Sequence, residues 1–363
     1  MTSHIWNWTL SIAAVSILAS CEVDMTPEDS PVKITVSASV ETEQVASLED
    51  AADDPAIWVN PTTPGESLII GTDKKRGLDV YKLDGSRLHS YEFGKVNNVD
   101  LRPHFPLNDS TEIILVAGSN RSHNSVGVWS LDSQTGALTD ISARPLVSET
   151  DEVYGFCLHQ HPVDSQFYAF VVSKTGKIEQ WHLFANEAGK VDGKIVRQFS
   201  LATQGEGMVA DDQTGTLYVA EEDAALWKFD SAPTGDTTAS QIITVAHEML
   251  QDDLEGVTLF KGKDGQGYLI VSSQGNHSYA IFDRQAPHAY IGSFRIDGGE
   301  IDGTQDTDGI DVTSAPLGEA FPNGVFIAQD GNNTDADGVK AQNFKLVPWE
   351  AIAASIEGVE ASL

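Results

Sequence analysis

A two-strand unit recurs six times along this chain, and the repeat restricts the fold more than any other feature. Each copy has a polar residue, often followed by glycine, then an apolar strand-forming run, a turn, and a second apolar run with a polar end. The clearest copy spans 205–223, where Gly215 suits a turn between the runs 208–210 and 216–220. The copies begin at Asp54, Asn98, Tyr154, Glu206, Glu255 and Asp308.

The copies start 44 to 56 residues apart, a spacing close to the roughly 40–50 residues of a β-propeller blade. Further strand candidates lie between the copies, such as 78–83 and 88–93, and a blade requires four strands. The sequence therefore predicts an all-β fold, a six-bladed β-propeller with four-stranded antiparallel blades around a central channel. Helical periodicity is strongest at 348–356. We expect 32–40 to close the ring by completing the sixth blade beside 343–347.

The N-terminus reads as a targeting segment. Residues 1–20 predict a signal peptide, because the apolar run 5–19 is too short for a comfortable membrane span. The run ends Leu18-Ala19-Ser20-Cys21, which resembles a bacterial lipobox and predicts lipidation of Cys21. No Lys or Arg precedes the run, so an alternative start site or a weak signal remains open. We expect an exported protein, either a periplasmic or outer-membrane (cell-surface) lipoprotein or a secreted protein, that touches membrane only through this anchor.

The remaining chain predicts a single large domain of 32–356 between two short flanking segments. Residues 21–31 are acidic and contain proline, which favours a tether, and 357–363 form a C-terminal tail. Cys157 is the other cysteine, and its apolar surroundings predict a small buried hydrophobe rather than a nucleophile. The sequence has no Gly-x-Ser-x-Gly elbow, P-loop or paired-cysteine zinc pattern.

The chain is strongly acidic, with 54 Asp and Glu against 22 Lys and Arg, a formal net charge of −32. Such a chain repels nucleic acid and anionic membrane surfaces, so we expect no nucleic-acid partner. Solubility alone could explain the acidity, and cation binding is the other interpretation. At the open end of the hairpin 205–223, each pair of like charges about 4 Å apart costs roughly 4 kcal/mol at an effective dielectric near 20. That end therefore either opens into water or holds a cation.

Propeller geometry predicts a site at one channel mouth. The first strand of each blade lines the channel, so the six residues that begin the copies should gather there. Four of the six are carboxylates and all are oxygen ligands, which favours a hard cation, calcium above all. Lys74, Arg121 and Lys174 end second strands on one side of the ring, which predicts an anion pocket beside the cations. A polar rim also suits any water-filled channel, so simple hydration is the alternative.

The sequence closely resembles the β-propeller phytases, calcium-dependent enzymes that dephosphorylate phytate, from about residue 34 to residue 352. The resemblance rests on long motifs, among them Asp53-Asp54-Pro55-Ala56-Ile57-Trp58, Asn97-Asn98-Val99-Asp100, Ala220-Glu221-Glu222-Asp223, Asp306-Thr307-Asp308-Gly309-Ile310-Asp311 and Gln342-Asn343-Phe344-Lys345. Thr175 stands where the family often has an acid, and Arg76 stands where a small residue is common.

The resemblance implies residue roles. Calcium ligands near the channel mouth match Glu41, Asp53, Asp54, Asn98, Asp100, Glu206 and Glu222. A second, structural calcium matches Asp253, Glu255, Gln274, Asp302, the Gly303 carbonyl and Asp330. Phosphate-binding side chains match Lys74, Arg121, Tyr154 and Lys174. The residues expected to act in catalysis are Glu206, Glu222, Asp54 and Tyr154.

The implied function is that of a 3-phytase-type phosphomonoesterase using several calcium ions. Phytate and this chain are both polyanions, so divalent cations must screen them, and we expect a calcium–phytate complex as substrate. A calcium-activated water would release phosphate and lower inositol phosphates. We expect a monomer. Two alternatives remain: another calcium-dependent propeller hydrolase, such as a lactonase, and a non-catalytic surface module that binds calcium or inositol phosphates.

Overall fold

A computed structural model describes residues 26–27 and 29–362, and the predicted signal peptide and Cys21 lie outside this part of the chain. Six sheets form the blades of a propeller, as predicted. Two short N-terminal strands precede the first blade, β1 (Thr35–Val36) and β2 (Val40–Glu41). Blade 1 contains β3 (Ala52–Trp58), β4 (Leu68–Asp73), β5 (Gly77–Lys82) and β6 (Arg87–Tyr91). Blade 2 contains β7 (Val96–Asn108), β8 (Thr111–Asn120), β9 (Ser125–Leu131), β10 (Leu138–Asp140) and β11 (Leu146–Val147).

The other four blades follow in chain order. Blade 3 contains β12 (Val153–Gln160), β13 (Phe167–Ser173), β14 (Lys177–Ala185) and β15 (Val191–Ser200), and blade 4 contains β16 (Gly205–Asp211), β17 (Thr216–Glu221), β18 (Ala225–Asp230) and β19 (Ser240–Thr244). Blade 5 contains β20 (Leu254–Lys261), β21 (Gly267–Ser273), β22 (Ser278–Asp283) and β23 (Tyr290–Ile296). Blade 6 contains β24 (Ile310–Thr313), β25 (Val325–Asp330) and β28 (Asn343–Pro348). A small hairpin of β26 (Thr334–Asp335) and β27 (Gly338–Val339) lies between β25 and β28 in the chain.

The N-terminal segment closes the ring, but in a different way from the prediction. Strand β2 pairs with β28, with Val40 opposite Leu346, so the expected closure of blade 6 is confirmed. Strand β1 instead pairs in parallel with β23 and gives blade 5 a fifth strand, which corrects the expectation that all of 32–40 joins blade 6. The cause is packing, because Val36 is buried in the cluster that contains Phe294 and Ile296.

Six apolar clusters hold the blades together, one between each pair of neighbours. Alternating side chains of each sheet enter the clusters, as expected for strands packed on both faces. Full burial of one large aliphatic side chain contributes about 1.5–3 kcal/mol, so the sum is large. The predicted helix is present as α1 (Trp349–Ser355), and Trp349 stacks on Phe260 with ring centroids 4.0 Å apart. Cys157 is buried, as predicted, and burial raises the pKa of its thiol.

Both chain ends pack against the propeller within the described part. Ser30 is fully buried and its carbonyl accepts a hydrogen bond from Lys33 Nζ. The last residues of the segment predicted as a tether therefore pack against the propeller. At the other end, Trp349 Nε1 donates to the carbonyl of Glu360. Among the described residues, none of the helices is long and apolar enough to cross a membrane.

Candidate functional site

A backbone irregularity recurs at one channel mouth. In five blades the pairing of the first two strands breaks near the beginning of the first strand, for example between Gly205 and Met208 and between Leu254 and Val257. Such a bulge turns a side chain away from the regular pleat. The residues inside these breaks are Asp53, Asp54, Asn97, Asn98, Tyr154, Gly155, Glu206, Gly207, Glu255 and Gly256. The bulges thus explain why the polar residues of the repeat gather at this mouth.

The glycines of the repeat let neighbouring first strands approach closely. A Cβ atom at Gly155 would overlap the carbonyl of Glu206, and one at Gly207 would overlap the carbonyl of Glu255. Gly309 has the same relation to Asp53, and its N–H donates to that carbonyl at 3.1 Å. The polar–glycine pattern therefore serves two purposes, because the polar residue enters the mouth while the glycine admits the backbone of the next blade.

Three glutamates form a buried acidic cluster at the mouth. Glu206, Glu222 and Glu255 are buried, and one carboxylate oxygen of each lies within 4.8 Å of the others. Each has a buried oxygen without a hydrogen-bond partner: Oε2 of Glu206, Oε1 of Glu222 and Oε2 of Glu255. Burial and the neighbouring carboxylates raise the pKa of Glu222 to about 8 and hold that of Glu255 well above its usual value. Buried carboxylate oxygens without partners suit a hard divalent cation, so this set fits calcium.

A lysine joins the cluster on its blade 1 side. Lys74 Nζ lies 2.7 Å from Asp308 Oδ2, 2.6 Å from Asp50 Oδ1 and 3.2 Å from Asp53 Oδ2. Burial alone would lower the pKa of Lys74, but Asp53 and Asp308 raise it above its usual value. Burial raises the pKa of Asp308 to about 7 even so. The negative charge of these carboxylates therefore exceeds the single positive charge of Lys74. Gln274 Nε2 donates to Asp308 Oδ1 at 2.7 Å but adds no charge.

Three of the four predicted phosphate-binding side chains, Arg121, Tyr154 and Lys174, meet at an aromatic ring, whereas Lys74 pairs with carboxylates. Lys174 Nζ lies 4.8 Å from the ring centroid of Tyr154, and the guanidinium carbon of Arg121 lies 5.7 Å from it. Arg121 also donates from Nε to Glu152 Oε1 at 3.1 Å. Burial, together with Glu206, holds the pKa of Tyr154 far above its usual value, so the phenol stays protonated. These three side chains are half-buried, and two cations on one ring can receive an anion beside the glutamate cluster.

The residues assigned by resemblance to a second calcium contact several different partners, and the Gln274 amide donates to the Asp253 carbonyl at 2.9 Å. Asp302 and Asp330 surround Lys345, whose Nζ lies 3.5 Å from Asp330 Oδ2 and 2.6 Å from Glu41 Oε2 and also pairs with Asp302. Gly303 follows Asp302 in the same loop. Glu255, by contrast, belongs to the glutamate cluster at the mouth. Asp253 lies in another acidic group, which also contains Asp223 and Asp252.

Two more predicted ligands link neighbouring blades. Asp54 Oδ2 accepts a hydrogen bond from the Val99 amide at 3.0 Å, and burial raises the pKa of Asp54 well above its usual value. Asp100 accepts from the Leu158 amide through Oδ2 and from Arg102 through Oδ1, both at 2.8 Å. Asp54 therefore retains one oxygen without a hydrogen bond to protein, whereas both oxygens of Asp100 are engaged.

Sequence reasoning missed two residues that organise the site. Lys345 stands in a quoted motif, but nothing in the sequence shows that its ammonium lies among the carboxylates of Glu41, Asp302 and Asp330. Asn97 precedes a predicted ligand, yet only the structure shows it between Arg121 and Glu206. Both residues lie in motifs that the sequence analysis quoted. Membership of a motif could have marked them as candidates, but it does not show which residues they contact.

The fold and the mouth together define a class: six-bladed propellers with a buried carboxylate cluster beside a cationic anion-binding surface. A family model described as Phytase matches residues 7–361. A curated 3-phytase from Bacillus subtilis (strain 168) is 49% identical over 323 residues, which cover 88% of this chain and 84% of that relative. The chain belongs to the phytase family, and it is a phytase enzyme.

One solved structure of low sequence identity shares the fold, and a second gives a weaker match. An auxiliary nutrient binding protein from Bacteroides thetaiotaomicron VPI-5482 matches with a TM-score of 0.51 and 10% identity, over 86% of this chain and 76% of that one. A functionally unknown protein from Desulfotomaculum acetoxidans DSM 771 matches with a TM-score of 0.46 and 14% identity, over 72% and 75% of the two chains. At this identity the first likeness concerns the fold alone.

Proposed function

We propose that this channel mouth hydrolyses phytate, taken up as its calcium complex, to lower inositol phosphates and phosphate in a calcium-dependent reaction. The observation that carries the proposal is the buried glutamate cluster with unpartnered oxygens, placed beside the Arg121–Tyr154–Lys174 surface. A carboxylate cluster by itself would repel phosphate. Cationic side chains by themselves could bind phosphate without a carboxylate cluster nearby. Their combination suits a polyphosphate that arrives with divalent cations.

The residues of the chain divide the work in this proposal. Arg121 and Lys174 would hold phosphate oxygens, and the protonated phenol of Tyr154 would orient one of them. Glu206, Glu222 and Glu255 would hold calcium, with Asp53 and the remaining oxygen of Asp54 nearby. Calcium, when bound, would neutralise charge on the phosphoryl group and lower the pKa of the attacking water. Lys74, which the resemblance also assigns to phosphate, lies among Asp50, Asp53 and Asp308, and here it would offset part of their charge as a phosphate approaches.

Phosphate release from phytate, measured across a series of free calcium concentrations set by a chelator, tests the proposal. We expect no release in excess chelator, and release that returns with added calcium. Hydrolysis of a lactone without phosphate release would favour the lactonase alternative. Calcium-dependent stabilisation or phytate binding without turnover would favour the binding module, and either result would overturn the proposal.

We also propose that the mature protein is exported and held at a membrane by a lipid on Cys21, with the monomeric propeller in solution. The apolar run and lipobox-like sequence support this part. Fractionation of cells that produce the full chain or the Cys21→Ser variant tests it, because only the full chain should partition with membranes. Recovery of both in the soluble exported fraction would contradict lipidation, and light scattering of the purified propeller would test the monomer.

A further inference from the structure

Asn97 connects the cationic and the acidic halves of the mouth. It is fully buried, so solvent does not reach its side chain. Arg121 Nη1 donates to its Oδ1 at 2.9 Å, and its Nδ2 donates to Glu206 Oε1 at 2.5 Å. One amide group therefore touches a residue proposed to bind phosphate and a residue proposed to bind calcium.

The orientation of this amide is fixed by chemistry. A guanidinium group only donates hydrogen bonds, so the amide oxygen must face Arg121. The amide nitrogen then faces Glu206 and donates to its Oε1. Because Asn97 occupies Oε1, Glu206 presents its other oxygen, Oε2, which is buried without a hydrogen-bond partner. A shift of Arg121 towards an anion would move the amide that positions this carboxylate.

We propose that Asn97 is a positioning residue that couples anion binding at Arg121 to divalent-cation binding at Glu206. The inference rests on the proposed function only in taking calcium and a phosphate-like anion as the two ligands. Coupling of this kind is reciprocal, so each ligand increases the affinity for the other by the same factor. Direct attraction between the bound ions also contributes, and the residue-dependent part is therefore the quantity to measure.

The chain offers a matched control in Gln204. Its Nε2 donates to Glu222 Oε2 at 2.9 Å, so it supports a different glutamate of the same cluster. In the described part of the chain it has no hydrogen bond to Arg121, Tyr154 or Lys174. Gln204→Ala should weaken calcium binding by itself but leave the coupling between calcium and anion unchanged, whereas Asn97→Ala should reduce both.

The experiment titrates calcium into the purified full-length protein by calorimetry, with and without saturating methylphosphonate, a tetrahedral anion that is not hydrolysed. The ratio of the two calcium dissociation constants is the coupling factor. We expect a factor of about tenfold or more in the wild type and in Gln204→Ala, within the range typical of coupled sites. In Asn97→Ala it should fall at least about threefold, since only direct ion attraction remains.

A second variant separates this role from general damage to the fold. Asn97→Leu occupies a similar volume but has neither the acceptor for Arg121 nor the donor for Glu206. We expect it to fold, as judged by circular dichroism, with a coupling factor that falls as in Asn97→Ala. An unchanged factor in either folded variant, or no coupling in the wild type, would overturn the inference. If Asn97→Ala does not fold, Asn97→Leu decides.

The outcome is independent of the test for phytate hydrolysis. A coupling factor that depends on Asn97 in a protein that releases no phosphate from phytate would support the inference and overturn the proposed function. Release of phosphate from phytate, with a coupling factor that does not change in the Asn97 variants, would support the proposed function and overturn the inference. Steady-state kinetics add a further readout, because loss of coupling should raise KM for phytate and lower kcat together.

Discussion

The two ends of strand β16 carry buried acids with opposite surroundings. Glu206, near its beginning, has a buried oxygen without any partner. Asp211, at its end, is equally buried but receives two hydrogen bonds from Arg284, at 2.8 and 2.7 Å. The next residue, Asp212, bonds Arg102 Nε at 2.7 Å and His159 Nδ1 at 2.8 Å. The strand is short, so these two environments are only about 17 Å apart at roughly 3.4 Å per residue.

The pKa values express the same difference. Burial alone would raise the pKa of Asp211 and Asp212, but the hydrogen bonds and charge of Arg284 and Arg102 lower both below the usual range. At the other end burial and like charges raise the pKa of Glu222 and Glu255. The chain supplies its own countercharges at one end and leaves the acids short of them at the other. This asymmetry is what a structural end and a cation-binding end should look like.

Glu206→Gln should have the largest effect on function. The substitution keeps the shape of the side chain and an acceptor for Asn97 but removes the charge that would hold calcium. We expect phytate turnover to fall by at least about a thousandfold, a loss that removal of a principal electrostatic group can produce. Stability in chelator should not decrease, because one source of repulsion is gone. Near-normal phosphate release from a folded variant would show that this end is not the catalytic one.

Arg284→Met makes the opposite test at the other end of the strand. It leaves Asp211 buried without its partner, and breaking a buried ion pair in this way costs about 3–5 kcal/mol. We expect that loss in the free energy of unfolding by urea, with kcat for phytate unchanged under folding conditions. Arg76→Met is the matched control, because the Arg76–Glu92 pair is exposed and contributes under about 1 kcal/mol. Equal effects of the two variants would contradict the comparison.

Removal of calcium should change how stability depends on pH. Glu222 has a pKa of about 8 in the folded protein and an ordinary value near 4.5 when unfolded. The folded state therefore holds this proton more tightly, so metal-free stability should fall as pH rises between these two values. Asp211, with a lowered pKa, contributes stability that is lost only as pH falls below its ordinary value of 3.8.

The measurement is the melting temperature in chelator and in calcium from pH 5 to pH 8. We expect a decline in chelator that calcium suppresses, because bound cation replaces the protons. Glu222→Gln should reduce the decline, since its amide does not titrate. A melting temperature in chelator that rises over this range would contradict the assignment of this end as the unsatisfied one.

The fold could be predicted from the sequence because each blade is a local unit. The spacing of the copies defined six blades, and the sixth closed through Val40 opposite Leu346 as expected. The parallel pairing of β1 could not be predicted, because two residues carry too little alternation to choose between neighbouring blades. What decides the pairing is the pocket for Val36 between blades, a feature of tertiary structure.

The site was predictable as a gathering of residues but not as a set of partners. Ring geometry placed Glu206 and Glu255 at one mouth, and the structure brings them together with Glu222. The same reasoning could not show that Lys345 meets Asp302 and Asp330, because Lys345 lies on β28, which is not the first strand of its blade. Countercharges come from distant parts of the chain, so the sequence lists the acids but does not show which of them lack a partner.

Asp100 gives the smallest and most discriminating test of the boundary between the two ends. Resemblance places it among calcium ligands, yet its oxygens already accept from the Leu158 amide and from Arg102. Asp100→Asn would keep one acceptor and weaken the charged contact with Arg102, at a cost of about 1–3 kcal/mol. We therefore expect a melting temperature lower by a few degrees, while the calcium concentration for half-maximal phosphate release shifts less than about twofold, a free-energy change below about 0.4 kcal/mol. A tenfold shift in that calcium concentration would place Asp100 with Glu206 among the cation ligands, and the cation-binding end would then extend deeper into the channel than the hydrogen bonds indicate.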